Sequence, residues 1–163
     1  MKKLFLALVL ILAHSGSVLA GEWIYTKSEN PMDDTITSSA IVTSTGVGEY
    51  NPSLLILQCK SGNPIFLMVK FGKKIWGTSK GDSEYVLQRI GKGDAEYKSW
   101  LILRQENIIF PQDSMALIDS LSNITTFAVA VDNPEYGEAI AQFEISGIQA
   151  AAQKLAKDCG TQD

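Results

Sequence analysis

The residue types able to do chemistry are few in this chain of 163 residues. Its one histidine, His14, lies in the N-terminal stretch MKKLFLALVLILAHSGSVLA. Beyond that stretch no imidazole remains for a Ser–His triad, a Cys–His dyad or a zinc site. No glycine-rich phosphate loop or dinucleotide fingerprint appears. Asp33, Asp34, Glu49, Asp82, Glu84, Asp94 and Glu96 could in principle supply the two carboxylates of a glycan hydrolase. None of them stands in a pattern that separates it from a solvated loop acid. The expectation is a protein with no catalytic residues, no cofactor and no metal. Asp33 and Asp34 could reach for calcium together with Asp132 and Asn133, but their spacing matches no calcium loop.

Two other groups of residues invite a role. The segment KFGKKIWGTSKG, residues 70–81, gathers Lys70, Lys73, Lys74 and Lys80 around Trp76 in an otherwise acidic chain. Such a positive spot beside an aromatic ring suits an anionic or carbohydrate partner, and Lys73, Lys74 and Trp76 are the candidate partner-binding residues. The plainer alternative is a solvated hairpin loop whose tryptophan folds back on the sheet. In NPMDDT, Asp33 and Asp34 read either as a turn or as the acidic partners of Arg89. Arg89 shares strand parity with Tyr85 and Leu87, and an inward-pointing arginine needs a counter-charge. Asn123-Ile124-Thr125 fits a glycosylation sequon, a three-residue pattern that chance readily supplies.

The elements that must position these residues begin after residue 20. Lys2 and Lys3, the apolar run Leu4–Ala13, and Val18 and Ala20 before the cut have the form of a cleaved secretory signal, residues 1–20. The run is too short to span a bilayer comfortably. A single globular domain over 21–163 is expected, in the periplasm of a Gram-negative cell, with no stable membrane insertion. Without Lys2 and Lys3, the 14 basic residues fall to 12 against 18 acidic ones, a net charge of about −6. That balance argues against nucleic acid, which needs a basic face. In an exported protein the two cysteines default to a Cys59–Cys159 disulfide.

Alternation of apolar and polar residues places strands at 22–28, 35–45, 53–60, 65–72, 84–90, 97–105, 125–133 and 138–146. Helical spacing places one helix in PQDSMALIDSLSN, capped by Asp113 or Ser114, with Met115, Ile118 and Leu121 as its stripe. A second helix starts after Gly147, where Ile148, Ala152, Leu155 and Cys159 recur on one face. The expected class is α+β: a mainly antiparallel sheet or sandwich with two helices, the C-terminal one tied to the sheet by the disulfide.

Several of these features occur in a telling order: Trp23, SENPMDD, PSLLILQC, VLQRI, SWLIL and a terminal FEISGIQAAAQKLAKDC. The chain thereby resembles the VasI, or TagO-like, family of type VI secretion-associated periplasmic proteins. The resemblance spans most of residues 21–163. It implies a non-enzymatic exported accessory protein whose partner is an envelope protein or secretion-system component. It carries over structural roles alone, to Cys59 with Cys159 and to Asp33 or Asp34. A periplasmic inhibitor or immunity protein against an envelope-targeted enzyme is the alternative, since a rigid β-rich scaffold suits inhibition. A carboxylate-dependent glycan hydrolase stands third.

Overall fold

A computed structural model describes residues 22–45, 52–75, 83–132 and 137–161. Nine strands form one antiparallel sheet: β1 (Ile24–Glu29), β2 (Ile36–Thr43), β3 (Leu54–Lys60), β4 (Phe66–Lys70), β5 (Ser83–Ile90), β6 (Ala95–Leu103), β7 (Ile108–Pro111), β8 (Thr126–Val131) and β9 (Ala139–Glu144). Two helices, α1 (Ser114–Ser120) and α2 (Ile148–Cys159), complete it. The strand order is β1-β2-β3-β4-β7-β6-β5-β8-β9. The class expected from the sequence is therefore present, as one bent sheet rather than a two-sheet sandwich.

The bend brings the far end of the sheet home. Ser44, just past β2, bridges Phe143 of β9, and the Thr45 N–H donates to Gln142 O at 2.7 Å. Trp23 Nε1 donates to Ser146 O at 3.0 Å. The strands from β2 to β9 thus come close to closing a ring, with β1 lying alongside β2.

Alternation explains what fills the inside. Leu55, Leu57 and Cys59 of β3, Leu67 and Val69 of β4, Trp100 and Ile102 of β6, and Phe127 and Val129 of β8 all point into one core. In β9, Ala139, Ala141 and Phe143 point in, followed by Ile145, as the sequence alternation predicts. Trp100 and Phe127 stack with centroids 6.5 Å apart, and the Trp100 indole N–H donates to Gln88 Oε1 at 3.3 Å, which satisfies its one buried donor.

α2 packs against β2 and β3, burying Ile148, Ala151, Ala152, Leu155 and Cys159. Two of these five are alanines, so the helix offers limited apolar area to hold itself down. A disulfide and a backbone hydrogen bond at its C-terminus supply what area does not. The Cys59–Cys159 disulfide spans a Cα–Cα distance of 6.3 Å. The Gly62 N–H, in the turn after β3, donates to Cys159 O at 3.0 Å. Gly160 ends the helix in the left-handed region, at φ 68°, where a side chain would be strained.

Two sequence expectations need correction. Alternation extends a strand to residue 105 and marks no element from there to the first helix, where the structure has one more strand. A 3-10 turn at Arg104–Glu106 and a left-handed Asn107 (φ 56°) reverse the chain into β7, which inserts between β4 and β6. Its four residues, IIFP, are too short to show a period, and Pro111 closes the strand at a position that needs no donor. In α1, Asp113 is the cap, its Oδ1 accepting from the Ala116 N–H at 2.9 Å, while Ser114 Oγ accepts from the Leu67 N–H. Leu117, Ile118 and Leu121 make the buried stripe, and Met115 faces outward.

Candidate binding surfaces

The proposed ion pair between Arg89 and Asp33 or Asp34 is not formed. Arg89 does share a face with Tyr85 and Leu87, but that face is the outer one; Val86 and Gln88 are the residues of β5 that turn inward. Exposed to water, Arg89 needs no counter-charge, and its Nε donates to Gly93 O at 2.9 Å across the β5–β6 hairpin turn. Asp33 instead shapes the β1–β2 turn. Its Oδ1 accepts from the Thr35 N–H at 3.1 Å, and hydrogen bonding to Thr35 holds its carboxyl below the usual range. Asp34 follows in the left-handed region at φ 54°.

The root of the lysine-rich loop is fixed. Phe71 and Ile75 are buried, the Phe71 N–H donates to Asn107 O, and the Ile75 N–H donates to Asn107 Oδ1 at 3.2 Å. Lys73 Nζ donates to Glu138 O at 2.7 Å, tying the root to the start of β9. Lys74 is exposed beside it. Trp76 and Lys80 lie outside the described residues, so the cluster with Lys73 and Lys74 is placed only in part.

The described carboxylates have separate local settings. Glu96 pairs with Lys98 at 2.8 Å, and the bond from Lys98 lowers its pKa. Asp94 lies in the β5–β6 turn and Glu84 on β5. Glu49, Asp82 and Asn133 lie outside the described residues. Among the described residues no three His, Cys, Asp or Glu side chains gather as metal ligands, and no helix is long and apolar enough to cross a membrane. Asn123 of the sequon occupies a left-handed turn position after α1, at φ 63°.

Two features went unread in the sequence. The first is a polar clasp at the end of α2. Asp158 accepts from Lys154 Nζ at 2.9 Å and from Ser38 Oγ at 3.1 Å, with Lys27 Nζ of β1 at 3.7 Å. The bond from Lys154 leads in lowering its pKa, joined by Ser38 and the charge of Lys27. Lys154 also lies 5.0 Å from the centroid of the Tyr25 ring. An acid in the last helical turn opposes the helix dipole, and these contacts offset that.

The second is the outer face of the sheet. Register sets Tyr97, Leu87, Ala130 and Ile140 side by side across β6, β5, β8 and β9. Another row joins Ile24, Ile41, Ile56 and Met68 across β1 to β4, and Phe110 pairs with Leu101 farther on. Phe66 and Tyr85 stand between these rows. Phe66, Leu101, Phe110 and Met115 line an open hollow of about 240 Å³. The signal was present in the sequence: SLLILQCK and IFLMVKFG are apolar in both phases of the alternation, which marks strands apolar on both faces. Neither a family model, nor a curated protein, nor a solved structure matches this chain.

Proposed function

We propose that the protein is a non-enzymatic accessory or binding protein of the periplasm, exported by a cleaved signal and working beside a type VI secretion machine. The observation that carries the binding part is the filled interior. A sheet bent nearly into a ring can enclose a ligand. Here the ring encloses Trp100, Phe127, Phe143 and the apolar side of α2, all of them buried. Among the described residues the hollows include open ones of about 200 and about 270 Å³. Recognition therefore falls to the outside of the molecule. The secretion context rests on the VasI-like features of the sequence.

The Lys73/Lys74/Trp76 loop is the first candidate surface for an envelope partner. Its root is held at both ends by buried Phe71 and Ile75 and by the Lys73–Glu138 bond, which lowers the ordering cost of binding there. Cross-linked capture from periplasmic extract tests this, with the mature chain as bait and its Lys73→Ala, Lys74→Ala, Trp76→Ala triple variant as control. An envelope protein captured by the first and lost with the second is the expected result. Capture that is absent, or unchanged in a folded variant, refutes the loop as the binding surface.

A further inference from the structure

The outer face of the sheet is apolar where an antiparallel sheet normally presents polar side chains to water. Phe66 is 49% exposed, Tyr85 72%, Tyr97 70% and Ile140 62%. These do not lie scattered. Tyr97 is directly opposite Leu87, and Leu87 is opposite Ala130, which is opposite Ile140. Tyr85 is opposite Ser99, whose hydroxyl accepts from Gln112 Nε2 at 3.2 Å, so even the row between is uncharged. Charged side chains flank these rows: Lys70 follows Met68 on β4, Arg89 follows Leu87 on β5, and Glu144 ends β9.

We infer that this face, centred on β5 and β6, is where a second copy of the chain docks, sheet against sheet, around a two-fold axis. Two arguments select a second copy over another partner. The first is area. A buried aromatic covers roughly 150–250 Å², so Phe66, Tyr85 and Tyr97 alone offer on the order of 300–500 Å². Leu101, Phe110, Leu87 and Ile140 bring the face toward the ~800 Å² that each partner contributes to a standard interface. The second is charge. The chain carries a net charge of −4, so two copies repel over most of their surface. Along the row of Tyr97, Leu87, Ala130 and Ile140 they meet without charges to desolvate or to oppose. A two-fold contact requires a patch complementary to itself, and an uncharged apolar patch satisfies that. Aligned packing would set the two sheets about 10 Å apart.

This inference stands apart from the loop proposal, since the lysine-rich loop is rooted beside Asn107 and Glu138 rather than on these rows. The test is sedimentation equilibrium of the mature protein from about 1 to about 300 μM, a span that covers weak and standard association. A reversible dimer is expected. The Tyr85→Glu, Tyr97→Glu double variant replaces two exposed side chains, so it should fold normally by circular dichroism. It should dimerise at least about 100-fold more weakly, because like charges then face each other. Mixing it with a Tyr85→Lys, Tyr97→Lys variant should restore a mixed dimer. A wild-type protein that stays monomeric throughout overturns the inference, even if another protein proves to bind this face. So does a dimer that the glutamates leave intact.

Discussion

The two faces of the same strands are both apolar, yet they live in different surroundings. In β6, Trp100 and Ile102 point into the core while Tyr97 and Leu101 point out. In β5, Val86 is sealed while Tyr85 is largely bare. Hydrophobicity alone does not separate these sets; cover does. The inner face is covered by the opposite wall of the bent sheet and by two helices, so the side chains of its core cluster have lost their water. The outer face carries rows of apolar side chains with no second layer over them. Inner side chains should therefore govern folding, and outer ones association.

The largest effect expected within that contrast comes from the disulfide, which holds part of the inner cover in place. Cys159→Ser opens a covalent loop of 100 residues and frees the end of the alanine-rich α2. A loss of about 4–5 kcal/mol is expected in urea unfolding. A loss under about 1 kcal/mol would mean that α2 holds β2 and β3 by packing alone, and that the inner cover is stronger than its alanines suggest.

A paired substitution addresses the contrast directly. Phe127 is fully buried against Trp100, and Phe127→Ala should cost about 3–5 kcal/mol. Tyr97→Ser removes a ring of similar size from the outer face. In dilute solution it should change stability by no more than about 0.5 kcal/mol, as exposed substitutions generally do. Thermal unfolding at low protein concentration reads both. Equal losses would break the comparison, because they would mean that Tyr97 is covered within a single chain.

The sequence made the inner face more legible than the outer one. Ala139, Ala141, Phe143 and Ile145 alternate with Gln142 and Glu144, and period two assigns them to the core at once. Ile148, Ala152, Leu155 and Cys159 do the same at helical spacing, while the disulfide was legible from two cysteines in a chain with the form of an exported one. Arg89 shows where that logic fails. In SEYVLQRI both phases contain large apolar residues, so parity identifies two faces without saying which is inside. The choice depends on tertiary neighbours: Gln88 turns in because Trp100 donates to it. The short strand β7 and the Asp158 clasp were unreadable for a related reason. Each depends on partners far along the chain, such as Ser38, 120 positions before Asp158.

The smallest expected effect concerns that clasp, which fastens the edge of the inner cover to β1. Hydrogen bonding from Lys154 and Ser38 and the charge of Lys27 depress the Asp158 pKa in the folded chain relative to its ordinary 3.8. A carboxylate with a depressed folded pKa contributes stability above its unfolded pKa and loses it as pH falls through the lower folded value. Unfolding midpoints should thus be insensitive to Asp158→Asn in the most acid range and should separate as pH rises through about 4. At neutral pH the wild type should be ahead by less than about 1 kcal/mol, since the pairs are partly exposed. Added salt should shrink the difference through screening of the lysine contacts. A gap that instead persists at the lowest pH would assign the clasp to the Ser38 hydrogen bond and local packing. β1 would then be fastened by shape rather than by charge.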